Sequence, residues 1–309
     1  MRILQICFRM PYPLKDGGAI AMYNMTKSFS DLGCKLTLLV PVTPKHDVGY
    51  DQLPEDVQKL ANFHTAEINS GVSAWGAFKN LFTSEPYYIS RYFDKGFEKK
   101  LVEILKQEEF DIVQVESLKV SMYNDVIRKY SNAKIVMRSH NVEFKIWERM
   151  AEKAKPGLKK WYLKLLVKRL KKYELQNMHG FDALVPISSV DGDFFKKKGY
   201  RKGIYPTASG IDFKKFGAAT DQVEQNTVFH LGALDWMPNQ EAVSWFLNDI
   251  WPKVHEQLPD LHFFLAGRNM PSYFKKYQHS NVYVIGEVDD AIKFMNSRQV
   301  MVVPLLSGS

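Results

Sequence analysis

Six consecutive residues, Arg138-Ser139-His140-Asn141-Val142-Glu143, bring a cation, an imidazole, an amide and a carboxylate together directly after an apolar run. Of these groups only the imidazole changes charge near neutral pH, which suits it to give or take a proton at a reacting oxygen. His140 is therefore the candidate catalytic residue. Asn141 fits a helix N-cap and Glu143 fits the first helical turn, where the positive end of the dipole favours a carboxylate. Capping would explain both without function; on the functional reading both line a binding site. Glu116 closes the preceding apolar run, Asp111–Val115, and is expected to face the same opening and hydrogen-bond sugar hydroxyls, unless it is simply a solvated loop residue.

Other segments have the chemistry of anion binding. Gly17 and Gly18 follow Asp16 at an expected strand-to-helix turn, where small residues admit a ligand to the backbone and free N–H groups face it. The pattern is not the dinucleotide fingerprint GxGxxG. Further on, Gly232 and Asn239 flank Asp235-Trp236-Met237-Pro238, with Pro238 placed for a helix start. Gly267 and Arg268 close the next strand, and Arg268 offers a charge-assisted contact to phosphate. Ser307 and Gly308 close the last strand, where a following helix would present its N-terminus. No Cys/His cluster has metal-ligand spacing, so no metal or other cofactor is expected.

These turns need strands and helices to hold them. Short apolar runs alternate with helical periodicity: strands are expected over 2–8, 35–42, 111–115, 133–137 and 183–187. Helices are expected over 19–32, 97–107, 120–130, 143–178 and 190–198. The stretch 45–93 reads less regularly, with helices near 52–62 and 73–83 and a strand near 63–69. A small-residue linker, Phe216-Gly217-Ala218-Ala219-Thr220, follows. The alternation then restarts with strands at 227–231, 261–266, 282–285 and 299–303 and helices at 239–257 and 289–297. The expected fold class is therefore α/β: two Rossmann-like domains, residues 1–215 and 225–309, facing a cleft, with ligands at the carboxyl ends of the strands. No helix is expected after the last strand, so the polypeptide is expected to continue past Ser309, the second domain being incomplete.

The 309 residues include 42 Lys and Arg against 34 Asp and Glu, a net charge of +8, which favours anionic partners. Nine of these cations and no acid lie within Lys153–Lys172, interleaved with Leu158, Trp161, Tyr162, Leu165, Leu166 and Leu170. Such a helix either packs its apolar stripe on the domain or lies on anionic lipid. On the second reading Lys159, Lys160, Trp161, Lys164, Lys168 and Arg169 form the membrane surface. The basic runs carry no nucleic-acid reader motif, so no nucleic-acid partner is expected. No apolar stretch is long enough to span a bilayer, and Gln5 breaks the first run too early for a leader, so a cytoplasmic protein is expected, peripheral at the inner membrane face. Cys7 and Cys34 read as buried thiols.

An ordered set of these motifs resembles the GT-B glycosyltransferases, specifically retaining family 4, the glycosyl transferases group 1. The set runs through Gly17-Gly18, His140-Asn141-Val142-Glu143 and Val185-Pro186-Ile187-Ser188. It continues with Pro206, Gly210-Ile211-Asp212, Gly232 to Asn239, Ala266-Gly267-Arg268 and Val303-Pro304-Leu305 to Gly308. The resemblance implies an acceptor domain followed by a nucleotide-sugar domain, with no obligatory metal. It implies transfer of a glycosyl group, with retention of configuration, to a cell-surface glycan or lipid-linked acceptor. A phosphate oxygen of the leaving nucleotide then helps deprotonate the acceptor. By this resemblance Gly17 and Gly18 meet the diphosphate or the acceptor, His140 meets the donor sugar or acceptor, and Gly232, Arg268 and Ser307–Ser309 line the nucleotide pocket. Two features depart from the family. Leu234–Asn239 carries no cation to grip the diphosphate, a task left to Arg268. The Glu-x7-Glu donor motif would fall past Ser309, so this chain is expected to be inactive. Two other functions fit the same residues: a GT-B sugar-nucleotide epimerase, and a catalytically dead nucleotide-sugar or membrane-binding module.

Overall fold

Strand β1 (Arg2–Ile6) places Ile3, Leu4 and Ile6 out of solvent on both faces, as a central parallel strand requires. A computed structural model describes residues 1–43, 49–210, 223–277 and 279–306. Two units emerge, dividing after Gly210. The expected linker 216–220 lies outside the described residues, as do Ile211 and Asp212.

In the first unit β1 is joined by β2 (Lys35–Val42), β3 (Asn62–Glu67), β4 (Ile112–Glu116), β5 (Lys134–Ser139), β6 (Ala183–Pro186) and β7 (Gly203–Ile204). All pairs are parallel, in the order β3-β2-β1-β4-β5-β6-β7. The helices are α1 (Gly17–Asp31), α2 (Glu55–Gln58), α3 (Ala74–Asn80), α4 (Tyr87–Ser90), α5 (Lys95–Gln107), α6 (Asn124–Tyr130), α7 (Glu143–Lys153), α8 (Leu158–Asn177) and α9 (Ser189–Lys197). The chain order reverses direction at β1/β4, and ligands of such sheets lie at the strand carboxyl ends beside that point.

The helix expected over 143–178 is two helices. Pro156 has no N–H to continue the first, and Gly157 takes φ +139°, a conformation open to glycine, so the chain turns before α8. The helix expected over 120–130 begins instead as a 3-10 turn, Leu118–Tyr123.

The second unit has β8 (Glu224–Leu231), β9 (His262–Ala266), β10 (Val282–Gly286) and β11 (Arg298–Met301), parallel in the order β10-β9-β8-β11. Its helices are α10 (Met237–Trp245), α11 (Trp251–Gln257), α12 (Ser272–Lys275) and α13 (Ala291–Asn296). A π-helical turn, Phe246–Ile250, joins α10 to α11 immediately before Pro252, whose missing N–H disrupts the regular ladder. Alternate residues of β9 serve opposite faces. Phe263 and Leu265 pack with Val243, Leu247 and Trp251, while Phe264 and Ala266 pack with Phe229 and Phe294.

Candidate functional site

The strongest polar constellation begins inside the first sheet. Gln5 and Gln114 are register partners on β1 and β4. Gln5 Nε2 donates to Glu116 Oε1 at 2.8 Å, and Gln114 Nε2 donates to the same oxygen at 2.6 Å. Thr26 of α1 donates to Gln5 Oε1 at 2.8 Å, which fixes the amide's orientation. The other carboxylate oxygen, Glu116 Oε2, lies 2.8 Å from His140 Nε2. Glu116 therefore does not reach out to sugar hydroxyls: it is fully buried, and three side chains occupy its oxygens. Its role is to hold the imidazole. A carboxylate accepts, so Nε2 carries a proton, and Nδ1 is the ring nitrogen left for another partner. Among the described residues Nδ1 has no protein partner. Phe8 sets the ring's tilt from the loop after β1, meeting His140 edge-on with centroids 5.9 Å apart.

The glycine turn lies beside this pair through Phe8. Asp16 caps α1, accepting from Ala19 N at 3.1 Å, and pairs with both terminal nitrogens of Arg9. A Cβ on Gly18 would lie 2.8 Å from Arg9 Nη2 and 3.7 Å from Phe8 Cζ, so glycine lets that ion pair lie across the helix start. A Cβ on Gly17 would meet nothing within 4 Å, which leaves its backbone face open to a ligand. Lys119, not foreseen, stands with Nζ 4.1 Å from the Phe8 ring centroid and 5.6 Å from that of Tyr88. It thus sets a cation on the Phe8 ring, the same ring that His140 meets edge-on.

Two expectations about the His140 loop are corrected. Asn141 is not the N-cap of α7; that position is Val142, whose side chain cannot accept. The cap comes instead from Glu174, far along α8. Its Oε1 and Oε2 accept from Glu143 N and Phe144 N, each at 3.0 Å. Burial pushes the Glu174 carboxyl up to about 8; the nearby Glu143 and Asp191 carboxylates add to this, and the two backbone donors oppose it. Glu143 does occupy the first turn, but it is buried and accepts from Tyr88 Oη at 2.7 Å. Burial and that same carboxylate push the Tyr88 phenol well up, so it remains a donor. Arg138 is likewise withdrawn from the opening. It is 1% exposed and donates through Nη1 to Thr207 O at 2.6 Å, fastening the segment after β7.

In the second unit the turns after β8, β9 and β10 are stitched together. Gly267 N donates to Gly286 O at 2.7 Å, Gly232 N to Ala266 O at 3.2 Å and Leu234 N to Arg268 O at 3.0 Å. Gly267 has φ +155°, and a Cβ there would overlap the carbonyl oxygen of Gly232. Asn239 Nδ2 donates to Ala233 O at 3.0 Å, holding the turn against the start of α10. Beneath Gly232, His230 donates from Nδ1 to Val302 O at 3.0 Å. Burial lowers its pKa, so the ring is neutral with Nε2 lacking a partner among the described residues. A Cβ on Gly232 would lie 3.1 Å from that Nε2. Gly232, Asn239, Gly267 and Arg268 thus lie on adjoining turns of one sheet end. Ser307 and Gly308 lie outside the described residues.

The basic helix α8 is also only partly as expected. Lys159, Trp161, Lys164 and Lys168 are exposed, but Lys160 Nζ donates to Glu152 O at 2.9 Å. Arg169 turns inward, with Nη1 2.8 Å from Asn80 O and Nη2 3.0 Å from Leu81 O. No helix among the described residues is long and apolar enough to cross a membrane.

Comparison with known proteins agrees with this architecture. Sucrose-phosphate synthase of Thermosynechococcus elongatus superposes with a TM-score of 0.67 at 12% identity, over 100% of this chain and 76% of its own. The E. coli trehalose-6-phosphate structure bound with UDP-2-fluoro glucose gives 0.54 at 13% identity, over 100% and 79%. A point mutant of S. aureus TarM, in complex with Fondaparinux, alpha-GlcNAc-glycerol and UDP, gives 0.60 at 10%, over 97% and 80%. In sequence, an "Uncharacterized 44.6 kDa protein in cps region" of Klebsiella pneumoniae is 23% identical over 269 residues, 86% of this chain. The chain spans 64% of that relative's length. Residues 225–309 match the family Glycosyl transferases group 1. The fold is thus GT-B, and the match to the Glycosyl transferases group 1 family lies within the second unit.

Proposed function

We propose that this protein transfers a glycosyl group from a nucleotide sugar, with retention of anomeric configuration, to a cell-surface glycan or lipid-linked acceptor at the inner face of a membrane. The observation that carries the reading is the buried Glu116–His140 pair at the carboxyl ends of β4 and β5, beside the open Gly17 turn. The family matched by the second unit and the UDP compounds in two of the similar structures support a nucleotide-sugar donor. Gly232, Gly267 and Arg268 are assigned to that donor, Arg268 to its phosphates. His140 presents Nδ1 as an acceptor for a sugar or acceptor hydroxyl. Glu116 is a positioning residue, because it acts only through the imidazole. The chain's part in the reaction is alignment and charge stabilisation at the departing diphosphate.

Calorimetric titration with a panel of UDP-, GDP- and other nucleotide sugars tests the donor assignment, and NMR of the product anomer tests retention. Saturable binding of one donor is expected, and Arg268→Gln is expected to weaken it about tenfold or more. His140→Ala is expected to keep donor binding and, in a polypeptide that also carries the Glu-x7-Glu donor motif, to lose turnover. Failure of every nucleotide sugar to bind overturns the reading, and an inverted product overturns retention.

A further inference from the structure

The first unit exposes an aromatic ridge that its own core leaves uncovered. Ser73 caps α3, its Oγ accepting from Gly76 N at 2.9 Å. The helix then places Trp75 and Phe78 three residues apart along one side, and the turn that follows α3 brings Phe82 beside Phe78. Trp75 stacks on Phe78 with centroids 5.6 Å apart, and Phe78 meets Phe82 edge-on at 5.6 Å. Yet Trp75 is 63%, Phe78 50% and Phe82 79% exposed. Single exposed rings need no explanation, but three in mutual contact form a patch, and such patches mark interaction surfaces.

Arg169 couples the ridge to α8. Its guanidinium holds the carbonyls of Asn80 and Leu81 at the end of α3, a favourable place for a cation. On α8 the exposed residues Leu158, Trp161, Lys164, Lys168 and Lys172 recur at intervals of three and four, opposite the buried Leu163, Leu166, Val167 and Leu170. Lys79 adds a cation on the ridge itself, 5.2 Å from the Trp75 ring. No acid occurs in 68–84 or in 153–173.

We propose that the Trp75/Phe78/Phe82 ridge and the α8 lysine stripe form one docking surface for an anionic lipid bilayer. The rings enter the headgroup zone and the lysines meet lipid phosphates. Charge selects this occupant: a second copy seated on the same face would bring its own lysines against these, and like charges disfavour that. The proposal deepens the functional reading at one point, where the acceptor is met; lipid binding itself requires no turnover.

Co-sedimentation of the full chain with vesicles of phosphatidylcholine containing phosphatidylglycerol, against phosphatidylcholine alone, tests it. Binding to the anionic vesicles only is expected, with a blue shift of tryptophan emission. Trp75→Ser/Phe78→Ser/Phe82→Ser is expected to weaken binding about tenfold or more, and Lys164→Gln/Lys168→Gln on the order of 25-fold. Both sets of side chains are exposed, so circular dichroism melts should match the wild type, and nucleotide-sugar titration should be unchanged. Absence of binding, equal binding to both vesicle types, or insensitivity to removal of the rings overturns the proposal. So does a concentration-dependent dimer that the ring variant abolishes. A failure here leaves the nucleotide-sugar titration intact, so the two readings fail separately.

Discussion

Glu174 shows how far a single buried carboxyl can act from its own place in the chain. It terminates two N–H groups of α7 and thereby sets the angle at which the His140 loop enters that helix. Its folded pKa is about 8, above the usual carboxyl value of 4.5. Between those two values the folded protein keeps a proton that the unfolded chain releases. The contribution of Glu174 to stability is therefore full below the lower value and declines as pH rises through the upper one, by up to about 1.4 kcal/mol per pH unit. Urea unfolding between these limits should show this decline in the wild type and a flatter profile in Glu174→Gln. At the acid end the variant should be less stable by about 1–3 kcal/mol, because its amide nitrogen faces a backbone N–H that then lacks an acceptor.

Elements here are aligned by contacts at their ends. Glu174 caps α7, Arg169 binds the end of α3, Asp16 caps α1, and Ser188 Oγ caps α9 by accepting from Asp191 N at 3.1 Å. In the second unit the corresponding fastening is between strand ends, where Gly267 passes directly over Gly232. Gly267→Ala is expected to cost about 3 kcal/mol or more, since the new methyl overlaps backbone rather than a side chain that can move. Thermal unfolding checks the loss. Gly17→Ala, whose methyl would meet nothing, should leave stability nearly unchanged in the same measurement.

At the scale of the whole molecule the surplus of cations matters more than any single ion pair. The net charge of +8 and the acid-free stretches on α3 and α8 give the lipid-docking face its sign. Exposed charges are screened over about 8 Å at physiological ionic strength. Binding to anionic vesicles should therefore weaken as salt is added, and less steeply in Lys164→Gln/Lys168→Gln, which has fewer charges to screen. A salt titration of the co-sedimentation experiment reads this directly.

Strand–helix alternation, the bounds of β2 and the placement of His140 and Gly17 at strand ends were legible from the chain alone. Apolar periodicity and glycine punctuation are local properties, and they survive folding. Gln5 was legible as a break in the first apolar run, but Gln114 and its pairing with Gln5 were not, because only the β1–β4 register sets them side by side around Glu116. The cap on α7, the inward turn of Arg138 and Arg169 and the exposure of Phe82 were decided by tertiary structure. Each depends on residues dozens of positions apart meeting at one point, and a side chain's partner and exposure are set by what packs against it, not by its neighbours in sequence.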